Sequence, residues 1–387
     1  MCIFSEWKVF SQTHVVRHSL TTLMLTKRLF LLSGLLIVTF YSFSQPLTEK
    51  VNTASAEAYF SMATLLKNGH EEVESQWQAL FQTPVYQMMI AGKAIDTIVL
   101  KAEMRQVFGA ANTAADAPFP SKEIYHQNYK ANQVQLEAYI KLLHSSNTVD
   151  SVKALVYPFL PKRLQAEALF PALFYLNYGS PEATGYGGIV INDLWHSYRI
   201  DSYKFGLLAA HEAFHAIVSI AFQQSIKPTI DFNDPSFSLL NFLQNVSEEG
   251  VADLIDKPLL LQKGSPLYHE VRQLTDNDEA LSIKYINSLD SLLRLAFASE
   301  KVLQEYNGLP AFANSYGKNG GHIPGRFMGM IIMKSGLLQN HLVTVEDPVS
   351  FIVTYNEAVK KSRAKYPLFS KESIQYLQHL KTKYWKF

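Results

Sequence analysis

The stretch Leu207–Ser219 reads LLAAHEAFHAIVS, and the rest of the chain is interpreted outward from it. Apolar residues at helical spacing surround His211, Glu212 and His215, so the segment is predicted to be a buried helix carrying three polar side chains. His211 and His215 stand four residues apart and share one face, with Cβ atoms roughly 5–6 Å from each other. Two imidazoles so placed can approach one metal ion at about 2.0–2.1 Å. Glu212 is turned about 100° from His211, which keeps it out of that ligand set but lets it reach a water at the metal. Such a water, acidified toward a pKa of about 7, would give its proton to Glu212 and attack a polarised carbonyl. With 12 histidines and 21 glutamates in 387 residues, chance alone writes this pattern in about one of fifty such chains. The flanking Leu, Ala, Ile and Val argue against chance, because burying His, Glu and His costs several kcal/mol unless something binds them.

A catalytic zinc takes three protein ligands and leaves one position to water. The third is sought in NVSEEGVADLID, Asn245–Asp256, where Glu249 and Asp253 lie four apart on a predicted helix. Glu249 is read as the ligand and Asp253 as the acid that takes the free N–H of a ligand imidazole. Glu248 is the weaker choice, because it lacks an acid four residues on. Gly250 is expected to let this helix close on the first. The alternative is a solvated acidic helix start, and Val246, Val251, Ala252, Leu254 and Ile255 speak against it.

HEAFH, followed thirty-four residues after His215 by Glu249 in EEGVAD, resembles the gluzincin class of zinc metallopeptidases, and bacterial zinc-dependent peptidase families with exported forms in particular. The likeness covers Asp193–Asp256, with a weaker echo in GHIPGRFMGM, Gly321–Met330. It implies Zn²⁺ as cofactor, His211, His215 and Glu249 as ligands, Glu212 as general base and Asp253 as the orienting acid. It also implies a zincin-like catalytic core in which an edge strand beside the motif helix takes an extended peptide by strand addition. YGGIVINDLW, Tyr186–Trp195, is placed to be that strand. Gly185, Gly187 and Gly188 either admit a substrate backbone or form a plain hairpin turn. One departure is Glu248, where studied members often have Asn. His322, or Tyr316 six residues earlier, is expected to donate to the developing oxyanion, as a downstream His or Tyr does in such enzymes; a histidine that merely caps the next helix is the alternative. Arg326, His196 and Asp193 are minor candidates, and Gly325 with Gly329 suits close helix packing.

The chain is 48% hydrophobic, enough for a substantial core, and its 35 basic and 34 acidic residues leave a formal charge of +1. No global field draws it to nucleic acid, so the expected partner is a peptide or protein substrate. Lys27 and Arg28 precede the apolar run Leu29–Phe40, and the small residues Ser42 and Ser44 precede Gln45. These are the parts of a secretory signal, with Met24 as the expected start and cleavage after Ser44 favoured over a retained anchor. The run is shorter than the about 20 residues a span needs, so no stable membrane span is expected after cleavage. The only cysteine, Cys2, lies in this leader. The exported chain, periplasmic or extracellular, would carry no thiol, which excludes disulfides, iron–sulfur ligation and cysteine catalysis.

Residues 45–170 show helical periodicity, including one long helix over Lys122–Ser146, and strand signals appear only in Ala172–Ser180 and Tyr186–Trp195. The expected fold is mainly α with a small sheet, an α+β protein with a leader over 1–44, a helical N-terminal region over 45–170 and a zincin-like catalytic region over 171–387. The expected function is that of an exported zinc peptidase. The competing readings are a zinc hydrolase of a non-peptide amide or ester, and a non-catalytic binding protein stabilised by zinc, for which Glu212 would be superfluous.

Overall fold

The computed structural model describes residues 50–70, 74–109, 120–145, 147–177, 183–305, 321–363 and 365–386. The leader and signal segment, and Tyr316, lie outside these. The molecule is mainly helical with one small sheet. A short strand, β1 (Val51–Asn52), leads into the helices α1 (Ala54–Lys67), α2 (Glu74–Phe81), α3 (Pro84–Ala91), α4 (Thr97–Phe108), α5 (Pro120–Ala131), α6 (Gln133–Ser145) and α7 (Thr148–Val156). The expected long helix over Lys122–Ser146 is broken at Asn132. Its side-chain Nδ2 donates back to the Asn128 carbonyl at 2.8 Å, the kind of local bond with which Asn competes against helix continuation.

Three strands follow: β2 (Ala172–Leu176), β3 (Ala183–Tyr186) and β4 (Ile189–Asp193). The sheet order is β1-β2-β4-β3, with β1, β2 and β4 parallel and β3 antiparallel at the edge. The sequence reading of Tyr186–Trp195 as a single edge strand is therefore corrected. Gly187 and Gly188, at φ 58° and 86°, form a two-residue hairpin turn that only glycine-like backbones enter freely. They fold β3 back on β4, which becomes an interior strand. Asp193 then ends β4, its carboxylate accepting the His196 N–H at 2.9 Å as the cap of the next helix.

That helix is α8 (Leu194–Asp201), followed by the motif helix α9 (Leu207–Ser225) and the long α10 (Pro235–Leu260). The remaining helices are α11 (Tyr268–Thr275), α12 (Asp278–Ala298), α13 (Lys301–Glu305), α14 (His322–Lys334), α15 (Leu338–Leu342), α16 (Pro348–Ser362) and α17 (Lys371–Tyr384). None of the described helices is long and apolar enough to cross a membrane. Gly185 on β3 lies on the motif helix so closely that a Cβ there would stand 1.7 Å from the Glu212 carbonyl oxygen. This glycine admits the helix backbone, not a substrate.

Apolar side chains gather in two clusters. The first joins the early helices, the sheet and the motif helix, with Tyr59, Leu66, Trp77, Leu173, Val190, Phe214 and Ile217 all buried. The composition change at Phe170 thus marks the start of the main sheet strands, because the helices before it bury their apolar sides in the same core as α9. The second packs α10 against α12, α14, α16 and α17 through Leu240, Tyr285, Leu289, Met328, Phe351 and Leu377. Along α10 the change of core falls between Val246, in the second cluster, and Val251, in the first. The turn between them carries Glu248 and Glu249.

Candidate metal centre

His211 and His215 project from α9 toward that turn of α10, their side chains only 5% and 12% exposed. Their Nε2 atoms lie 3.3 Å apart. Glu249 Oε2 lies 3.6 Å from Nε2 of His211 and 3.4 Å from Nε2 of His215. Bonds of about 2.0–2.1 Å at the tetrahedral angle separate donor atoms by about 3.3–3.4 Å. The three atoms therefore form one face of a zinc-sized tetrahedron. Glu249 Oε2 is also buried, so its charge is met by the surrounding imidazoles rather than by water.

The outer ring nitrogens face carboxylates. His215 Nδ1 lies 3.2 Å from Glu248 Oε2, and Gln244 Nε2 donates to the other oxygen, Oε1, at 2.8 Å. His211 Nδ1 lies 3.4 Å from Asp256 Oδ1. Asp253, which the sequence reading pairs with one of these histidines, instead sits 3.1 and 3.2 Å from Nδ1 of His322, and His322 Nδ1 also reaches Glu249 Oε2 at 2.9 Å. The reason is helix rotation: position 253 turns toward α14 while position 256 comes round to α9.

His322 opens α14, and α14 crosses α10 backbone to backbone. A Cβ on Gly325 would meet the Val246 carbonyl oxygen at 2.3 Å, and one on Gly250 would meet Gly325 O at 2.8 Å and Phe351 Cζ at 2.5 Å. Gly250 thus serves the contact with α14 and α16, not the contact with the motif helix expected from the sequence. Glu212 is half-buried and acts electrostatically on both motif histidines.

Burial alone would push the imidazoles toward neutrality, but the surrounding carboxylates outweigh it. Asp256, Glu249 and Glu212 bring His211 up to about 9, and Glu249 with Asp253 brings His322 up to about 10. For Glu249, burial raises the pKa, yet the neighbouring His215 and His322 carry it well below the ordinary carboxylate range. The pocket thus favours positive charge. His211, Glu249, Asp253 and His322 offer donor atoms within 4.8 Å of one another and could hold a metal ion. His322 lies against both Glu249 and Asp253, and Asp253 alone of the two also pairs with Lys257, its Oδ1 3.3 Å from Nζ; the close triangle is that of His211, His215 and Glu249.

Residues 77–364 match the family described as "Putative zinc dependent peptidase (DUF5700)". The chain belongs to this family. No curated protein and no solved structure matches it. Zinc and peptide hydrolysis thus stand in the description of the family, and the donor cluster of this member lies inside the matched span.

Other candidates of this family member are placed away from that cluster. Arg326 is no exposed anion binder, since it forms a largely buried ion pair with Asp278, its Nε 3.0 Å from Oδ2. His196 is half-buried near Arg199 and Lys257, and desolvation together with those charges lowers it to about 4. Asp193 is taken up by capping α8 and accepting from Tyr129. Sequence reasoning missed Glu248 and Asp256 as partners of the motif imidazoles. The available signal was that Asp256 lies seven residues after Glu249, two helical turns on and the same face.

Proposed function

We propose that this protein is an exported zinc-dependent peptidase of the gluzincin kind, with a zincin-like core and the HExxH helix at α9. The triangle of His211 Nε2, His215 Nε2 and Glu249 Oε2, with edges of 3.3, 3.4 and 3.6 Å, carries this reading. These three side chains would hold the ion, and Glu248 and Asp256 would accept the N–H of the two ligand imidazoles and keep each Nε2 free to coordinate. A zinc ion there supplies a Lewis acid for a scissile carbonyl and acidifies water near neutral pH.

Glu212 takes the proton of the attacking water and passes it to the departing amine. His322, its Nδ1 held by Asp253, donates from its other nitrogen to the oxyanion as it forms. The outer edge of β3, which no other strand covers among the described residues, pairs with an extended peptide by strand addition. Export rests on the signal segment in residues 24–44, which fits a site built without cysteine.

The test is metal content followed by hydrolysis. Wild type is expected to hold one zinc and cleave members of a peptide library, and Glu212→Gln to hold the same zinc with turnover reduced at least about 100-fold. Equal hydrolysis by the two proteins would end the Glu212 assignment, and a protein that binds no zinc would end the reading altogether.

A further inference from the structure

Four carboxylates crowd one face of α10 within nine residues: Glu248, Glu249, Asp253 and Asp256, all largely buried. Glu248 has Gln244 and His215, and Glu249 has the imidazoles around it. The last two share a single lysine. Lys257 Nζ lies 2.8 Å from Asp256 Oδ2 and 3.3 Å from Asp253 Oδ1, and among the described residues no other lysine or arginine pairs with either carboxylate. Neighbouring residues on a helix point about 100° apart and do not face each other, yet Lys257 Nζ reaches the Asp256 carboxylate, and only 23% of the lysine side chain remains exposed.

Each carboxylate turns toward a different histidine. Asp256 Oδ2 accepts from the lysine and Oδ1 lies 3.4 Å from His211 Nδ1, and among the described residues neither Oδ1 nor Nδ1 has another hydrogen-bond partner. Asp253 faces Lys257 on one side and His322 on the other. We infer that Lys257 is a positioning residue for both arms of the site, a single ammonium that holds the carboxylate behind the metal-facing His211 and the carboxylate behind His322. The inference rests on the zinc-peptidase reading and adds to it a residue that touches neither metal nor substrate. Without the ammonium, Asp256 loses its only strong anchor, the rotamer that aims Oδ1 at His211 is no longer favoured, and Asp253 is left with His322 alone. Partners of this outer kind typically alter metal affinity 10–100-fold when removed.

The experiment is a zinc titration of the full chain against a chromophoric chelator, with zinc salt as the only added ligand. Lys257→Met is expected to weaken zinc binding about 10–100-fold, and Lys257→Arg to restore most of it, because a second cation at the end of a long stem can reach the same two oxygens. Asp256→Asn is expected to weaken zinc binding alike, and adding Lys257→Met to Asp256→Asn to weaken it little further, since the lysine reaches His211 through Asp256. A stability role alone would lower the melting temperature of metal-free Lys257→Met while leaving its zinc affinity and the double-variant comparison flat. That result, or a loss in Lys257→Met that repeats in full on the Asp256→Asn background, overturns the inference. Lys257→Gln replaces the Met variant if the latter does not fold, with the same expected loss. A wild-type chain that takes up no zinc defeats the peptidase reading instead, so the two failures are separable.

Discussion

The contact between α10 and α14 gives the sharpest prediction. A Cβ on Gly329 would stand 2.1 Å from the Gly250 carbonyl oxygen, and real Cβ atoms essentially never come closer than 3.0 Å. Gly329→Ala must therefore move α14 off α10 by the difference between 2.1 and 3.0 Å, about 0.9 Å at least. The atom met is helix backbone, so no side chain can swing aside. His322 sits two turns earlier on α14, its Nδ1 3.1 Å from Asp253 Oδ1. A displacement of that size carries the pair to about 4 Å, beyond hydrogen-bond reach. Overpacking costs about 1–3 kcal/mol, while alanine returns about 1 kcal/mol of helix propensity, so the expected net loss runs up to about 2 kcal/mol. The proposed zinc ligands belong to α9 and α10 and stay together. Urea denaturation should thus show modest destabilisation, zinc titration a nearly unchanged affinity, and peptide hydrolysis a fall of about 100-fold or more from the loss of one oxyanion donor. A Gly329→Ala protein as stable as wild type and fully active would refute both the backbone crossing and the role given to His322.

Two further outcomes follow from parts remote from the metal centre. Trp385 is 7% exposed, packs edge-on against Phe222 at a ring distance of 5.6 Å and bridges to Ile226 just beyond the motif helix. Trp385→Ala should cost about 3–5 kcal/mol by urea denaturation, and a loss below about 1 kcal/mol would show that the motif helix does not depend on this clasp. His341 is fully buried, and among the described residues neither ring nitrogen has a hydrogen-bond partner; burial lowers its pKa to about 3. The unfolded chain then binds the extra proton first, so its contribution is intact above the free histidine value of about 6.5 and is lost as pH falls toward 3, by at most about 1.4 kcal/mol per pH unit. His341→Phe should flatten that part of the stability–pH curve, and an unchanged slope would contradict the burial argument.

The motif helix was readable because its signal is local: two histidines at helical spacing among small apolar residues. Glu249 could be singled out by an acid four residues on, and the structure brings its Oε2 to both imidazoles. The reason offered was incomplete, however, since Asp253 faces His322. Three carboxylates at positions 248, 253 and 256 satisfy helical periodicity almost equally, and only the angle at which α10 lies between α9 and α14 assigns each to its histidine. The strand error has a similar cause. Tyr186–Trp195 has the composition of one strand, and the glycine pair that folds it into a hairpin is spelled the same whether it turns or merely yields room. Gly185 and Gly250 were recognised as points of close approach, but the approaching backbone belongs to other parts of the chain, at Glu212 and at Gly325, and no local pattern names it.

That one helix bears Glu248, Glu249, Asp253, Asp256 and Lys257 also sets where this protein can tolerate insertions and deletions. A single residue added between Glu249 and Asp253 would rotate everything after it by about 100°, so Asp253 would turn away from His322, Asp256 from His211, and Lys257 from both acids in one event. The same residue added in the connection between Ser225 and Pro235 would leave every pairing intact. The span from 248 to 257 is thus a block of fixed length, and divergence among functional descendants should be confined to substitutions within it and to length changes outside it.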